Sequence, residues 1–164
     1  LQRLLEDIDD TLKIDIAPTQ VKFTFGQVEL VSKLVEGKFP DFQRVIPKTH
    51  KNKFVIGREE LQRSLQRAAI LTSDKFKGVR CIIEPGQLKI MSTNADHEEA
   101  QEELEIAYTG DSVDMGFNVT YLLDVLANLK VDMLEVSLGD ASSSALITIP
   151  ENEEFKYVVM PMRI

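Results

Sequence analysis

Apolar positions follow two periods along this chain, and the periods take turns in a fixed order. "REELQRSLQRAAIL" carries Leu61, Leu65, Ala68 and Leu71 at helical spacing, and "VTYLLDVLANLK" does so with Leu122, Leu123, Leu126 and Leu129. Asn118 stands just ahead of the second run, where an N-cap belongs. Around these helices the pattern changes to alternation. "KFVIG" precedes the first helix, and "GVRCIIE", "QLKIMSTN" and "EAQEELEIAY" follow it, with a Pro85-Gly86 turn between the first two. "SVDMGF" precedes the second helix, and "DMLEVSLGD", "SALITIP" and "EFKYVVMP" follow. The order is therefore strand, helix, strand, strand, strand, written twice.

The opening of the chain reads as the same unit without its first strand. "LQRLLEDIDD" places Leu1, Leu4, Leu5 and Ile8 on one helical face, and "TLKIDI", "QVKFTF" and "QVELVSKLV" predict three strands that each bury one face. The first residue is neither an initiator methionine nor a helix cap, so the chain reads as part of a longer one. "EGKFPDFQRVIPKTHKNK" then breaks the periodicity with two prolines and a glycine, and predicts a connector. The expected division is residues 1–47, with the connector, and 48–164. A βαβββ unit cannot cover its own sheet, so paired units should share a core through their helices, in the α+β class. The incomplete opening unit should expose apolar surface or recruit another copy to cover it.

Composition adds bounds. At 164 residues and 43% hydrophobic the chain can bury one full core and part of another, and no run reaches the length of a membrane span. Cys81, the only cysteine, excludes an intrachain disulfide and fits a reducing, cytoplasmic setting. In "GVRCIIE" it reads as a buried, inert thiol. The net charge of −8 argues against indiscriminate nucleic-acid binding, yet residues 38–80 hold 11 Lys or Arg against 4 acids. Arg63 and Arg67 lie on the helix face opposite its leucines, and Lys75 and Lys77 follow in the next loop. Singly, each is the ordinary solvated charge of an exposed surface. As a set they fit contact with a phosphate backbone without base reading.

Catalytic chemistry is hard to place. Asp96, His97 and Glu99 invite a metal or hydrolytic site, but no further His or Cys stands at ligand spacing, and a solvated acidic bend is the plainer reading. Phosphate-cradling glycine motifs are absent from the sequence. The expectation is a non-catalytic protein with no cofactor and no metal. The ending "YVVMPMRI" reads, from its residues alone, as an edge strand closed by proline.

Four blocks, "KLVEGKFPDFQRVIPK", "RAAILTSDKFKGVR", "MGFNVTYLLDVLANLK" and "YVVMPMRI", together resemble the bacterial DNA polymerase III beta subunit family, the sliding clamps. The resemblance covers nearly the whole chain. It implies a DNA clamp fold of repeated βαβββ units, helices on the inner face and antiparallel sheets outside, with 1–47 as the end of domain two and 48–164 as domain three. The implied function is a processivity factor, a head-to-tail homodimer ring that encircles duplex DNA regardless of sequence. Replicative polymerase, clamp loader and repair proteins would dock through short linear peptides, and no membrane is involved. A stand-alone interaction module without a DNA role is the alternative.

By the matching motifs, the peptide pocket would use Pro40, Arg44, Val45, Phe76, Asn118, Tyr121, Val158, Val159, Met160, Pro161, Met162 and Arg163. Ser142 would stand where an apolar pocket residue is expected. Ile70 and Leu71 match the dimer-interface segment, although their spacing also suits a core. Methionines repack around different apolar guests, and arginines receive carbonyls or carboxylates, so the residue types suit a promiscuous pocket.

Overall fold

The computed structural model describes residues 5, 11–37, 41–73 and 76–163, with the backbone alone at 153. Of the predicted opening helix only Leu5 falls among these, in helical conformation. The chain divides into two compact units, Leu1–Pro40 and Asp41–Ile164.

The first unit is an antiparallel sheet of β1 (Lys13–Ile16), β2 (Gln20–Phe25) and β3 (Val28–Lys33), in the order β1-β2-β3. Its register aligns Ile14 with Phe23 and Phe23 with Leu30, and Ile16 with Val21, so the period-two pattern puts apolar residues on one face. The expectation that each strand buries one face needs correction. Phe25 is buried, but β1 is exposed throughout, with Ile16 at 76%.

The second unit begins with a 3-10 turn, Phe42–Arg44, inside the predicted connector. It then runs β4 (Asn52–Gly57), α1 (Arg58–Ile70), β5 (Gly78–Glu84), β6 (Gln87–Thr93) and β7 (Glu99–Glu105). The second copy is β8 (Val113–Asn118), α2 (Val119–Asn128), β9 (Met133–Leu138), β10 (Ala145–Ile149) and β11 (Asn152–Val159). The repeat is present, but its copies are not self-contained. The two antiparallel sheets are ordered β11-β10-β9-β4 and β7-β6-β5-β8, so each copy lends its leading strand to the other's sheet.

Alternation then builds the core. Phe54, Leu134, Val136 and Ile147 of one sheet and Val79, Ile83, Ile90 and Met115 of the other are buried in one cluster with the helices. On α1 the buried residues are Leu61, Ser64, Leu65 and Ala68, and Leu71 caps the helix half-buried. On α2 they are Val119, Leu122, Val125 and Leu126, while Leu123 and Leu129 are only partly buried.

Helix ends are closed by side chains. Asn118 Oδ1 accepts from the Thr120 N–H at 2.9 Å, as its cap position predicts. At the far end of α1, Ser92 Oγ donates to the Ala68 carbonyl at 2.7 Å and Thr72 Oγ1 to Ala69 at 2.8 Å. Gly57 offers α1 no side-chain cap, and Glu59 and Glu60 in the first turn instead complement the helix dipole.

Arg58 is the exception in that turn. A cation at a helix N-terminus opposes the local dipole, but its guanidinium reaches the end of α2 instead. Nε donates to the Val131 carbonyl at 2.9 Å, and a terminal nitrogen to Leu126 at 3.3 Å and to Gln62 Oε1 at 2.7 Å. The backbone N–H of Arg58 also donates to the Asp132 carbonyl at 2.8 Å. One residue thus ties the start of one helix to the finish of the other.

Candidate functional site

The chain's last described residues step from one sheet to the other. β11 ends with Val159 buried opposite Ala145 and with Val158 half-buried opposite Leu146. Pro161 has no N–H to continue a ladder. Met162 then donates its N–H to the Gly116 carbonyl at 2.8 Å, an isolated bridge on the free side of β8. Met160 between them is 64% exposed.

Other expected pocket residues gather near this tail. Phe76, 58% exposed, shares an open cleft of about 530 Å³ with Ser73, Arg80, Met91, Met162 and Arg163. Asn118 is occupied as the α2 cap, and Tyr121 in the first turn of α2 is exposed, its carbonyl accepting from Tyr157 Oη at 3.1 Å. Val45, also exposed, stands beside the start of β10, where Ser144 Oγ donates to its carbonyl at 3.4 Å. Arg44 pairs with Asp41 at 3.1 Å. Ser142 turns its hydroxyl toward Asp140 at 2.7 Å. With hydrogen bonds from Ser142 and Ser143, the Asp140 carboxyl is held down at about 2. Pro40 lies outside the described residues.

The cationic candidates are distributed differently from their count. Arg63 and Arg67 lie on the exposed side of α1 and are ion-paired, to Glu59 and to Glu102 of β7. Lys75 lies outside the described residues. Lys77 takes a left-handed φ of 48°, and its backbone clasps the loop, donating to Ser73 and accepting from Val119. Of the other basic residues in that stretch, Lys53 pairs with Glu135 and Arg80 with Asp114 on the sheet faces away from the core, while Arg58 is turned inward, so the stretch as a whole does not map onto a single face.

At the end of α1, Ile70 is 77% exposed and so is not a core residue, and Leu71 is half-buried. Close by in the fold, β7 is an edge strand that presents Glu99, Gln101, Glu103 and Glu105 outward.

Asp96, His97 and Glu99 form no metal site: among the described residues no three His, Cys, Asp or Glu gather to hold an ion. Asn94 Oδ1 instead accepts from the Asp96 and Glu98 N–H groups, both at 3.0 Å, and His97 takes a left-handed φ of 61°. This is a turn held by its own asparagine. Cys81 is buried, and desolvation, helped by the Asp114 charge, pushes its thiol up to about 12. A thiol reagent at mildly alkaline pH should therefore leave Cys81 unmodified in the folded protein and label it in denaturant. Rapid labelling of the native state would contradict that burial. No helix among the described residues is long and apolar enough to cross a membrane.

Comparison with known proteins matches this architecture. Residues 43–163 match the family model for the C-terminal domain of the DNA polymerase III beta subunit, and residues 1–41 match the model for its central domain. The beta sliding clamp of Pseudomonas putida is 43% identical over 165 residues, and that of Escherichia coli K12 is 40% identical over 164. Both alignments cover 100% of this chain and 45% of the relative, so the chain spans about half the length of the relatives it matches. A crystal structure of the DNA polymerase III beta subunit from Pseudomonas aeruginosa, 40% identical, covers 99% of this chain and 45% of its own at a TM-score of 0.81. A Bartonella birtlesii sliding clamp bound to griselimycin, 37% identical, covers 99% of this chain and 44% of its own at the same TM-score. On the residues matched and the fold shared, the chain belongs to the DNA polymerase III beta subunit family, the beta sliding clamps.

Proposed function

We propose that these residues serve a ring-shaped processivity clamp, a non-catalytic homodimer that encircles duplex DNA and tethers polymerase, clamp loader and repair proteins through short linear peptides. In this reading residues 1–47 belong to the end of domain two with its connector, and 48–164 form domain three. A ring is held on DNA by topology, so its inner surface needs only weak, backbone-directed contacts from groups such as Arg63 and Arg67. The open edge of β7 and the exposed Ile70 suit a strand and an apolar residue from a second copy, and the carboxylates favour a basic partner strand.

The observation that supports the peptide reading is the tail. Met160 is exposed between a strand end and a single pinning hydrogen bond, and Phe76, itself exposed, lines one open cleft with Met162 and Arg163. Flexible thioethers beside aromatic faces suit apolar anchors of varied shape. Deleting residues 160–164 from a full-length clamp that carries this segment should weaken a polymerase-derived peptide at least tenfold in a fluorescence titration, about 1.4 kcal/mol. Unchanged affinity would remove the tail from the pocket.

A further inference from the structure

Both arginines with a proposed DNA-facing role already have a carboxylate partner, Arg67 through two nitrogens of its guanidinium and Arg63 through one. Arg67 Nε donates to Glu102 Oε1 at 2.9 Å, and a terminal nitrogen donates both to Glu102 Oε2 and to Ser64 Oγ, the latter at 3.0 Å. One turn earlier, Arg63 donates to Glu59. Both arginine side chains stay more than half exposed, at 55% and 66%, so phosphate can approach each. Both arginines and Glu59 border one open hollow of about 480 Å³, which Ser64 and Asp132 also line. Glu102 is the less exposed partner, at 21%, and its bond to Arg67 keeps the carboxyl below its ordinary range, so it is ionised whenever DNA would be present.

A bidentate arginine-carboxylate pair uses the same donors that phosphate would take. DNA takes those particular donors only by displacing a carboxylate, which stays nearby as a repelling charge. We infer that Glu59 and Glu102 are built-in counter-ions that hold the phosphate contacts of Arg63 and Arg67 weak and quickly exchanged. The inference rests on the reading that this face of α1 meets DNA. A surface that slides needs contacts that let go, and a carboxylate competing in place for each guanidinium supplies that property. Exposed ion pairs are weak enough for phosphate to displace, so each should lower affinity by about two- to fivefold rather than prevent contact.

The test is binding of a labelled duplex to a full-length clamp carrying these residues, by fluorescence anisotropy across a salt series. Glu102→Gln and Glu59→Gln should each tighten binding about two- to fivefold and steepen the logarithmic salt dependence by up to about one unit. In an Arg67→Gln background, Glu102→Gln should add nothing, and in an Arg63→Gln background neither should Glu59→Gln. Gains that persist without the arginine would overturn the inference, since they would reflect bulk charge and not fork competition. So would an absence of gain while Arg67→Gln weakens binding. An Arg67→Gln variant that binds DNA as the parent does would instead bring down the DNA-facing reading. Sedimentation of each variant reports assembly, and if Glu102→Gln alters it, the Glu59 and Arg63 pair, which lies within α1, decides the matter.

Discussion

Leu126→Ala should destabilise the larger unit by about 3–5 kcal/mol, the range for a fully enclosed leucine whose cavity cannot collapse. Leu126 is 0% exposed in the last turn of α2, in the same cluster as Leu65 and Ala68 of α1. Backbone hydrogen bonds of α2 and two four-stranded sheets hold the surrounding positions, so neighbours have little freedom to fill the void. Chemical denaturation of the isolated residues 41–164, or of the whole chain, should show a lower midpoint with an unchanged slope. A loss under about 1 kcal/mol would mean that the helix pair repacks to fill the void.

The second large effect is electrostatic in origin. Arg58→Ala removes three side-chain hydrogen bonds and leaves the Leu126 and Val131 carbonyls without that donor, for an expected loss of about 2–3 kcal/mol. Arg58→Lys should recover only part of it, because an ammonium group cannot span the same acceptors as a planar fork. Thermal unfolding monitored by circular dichroism should fall by about 5–10 °C in the alanine variant. If lysine restored full stability, charge near the α2 terminus and not the fork geometry would be the cause.

Local elements were legible because one period decides each of them. β2 is "QVKFTF" and β5 is "GVRCIIE", as alternation predicted, and Asn118 caps α2 as its position required. The set on α2 was less legible: Val119 and Val125 belong to the buried face, whereas Leu129 falls at the cap and is only partly buried. Leucine identity is a weaker guide than angular position.

What the period could not reveal was pairing. Nothing local in "KFVIG" says that its partner is "MLEVSL", because hydrogen-bonding groups are the same in every strand and only the assembled core selects among them. A count of charges likewise says nothing of their partners. Arg58, Arg63, Arg67 and Arg80 lie in one basic stretch, yet three of them meet carboxylates, Arg63 within its own helix and Arg67 and Arg80 across the fold. Candidate pocket residues such as Phe76, Tyr121 and Val45 could be nominated only through family resemblance, since exposed side chains carry no periodic signature of their own.

The loan of leading strands between repeats also governs how the polypeptide must be born. Phe54 of β4 waits for Val136 of β9, 82 positions later, before its ladder can close. At typical ribosomal speeds of about 5–20 residues per second, that leaves a strand with an apolar side solitary for about 4–16 s. Nascent chains of this design therefore pass through a sticky interval that a simple tandem of self-sufficient hairpins would avoid, and they give cellular holdases a defined moment to act.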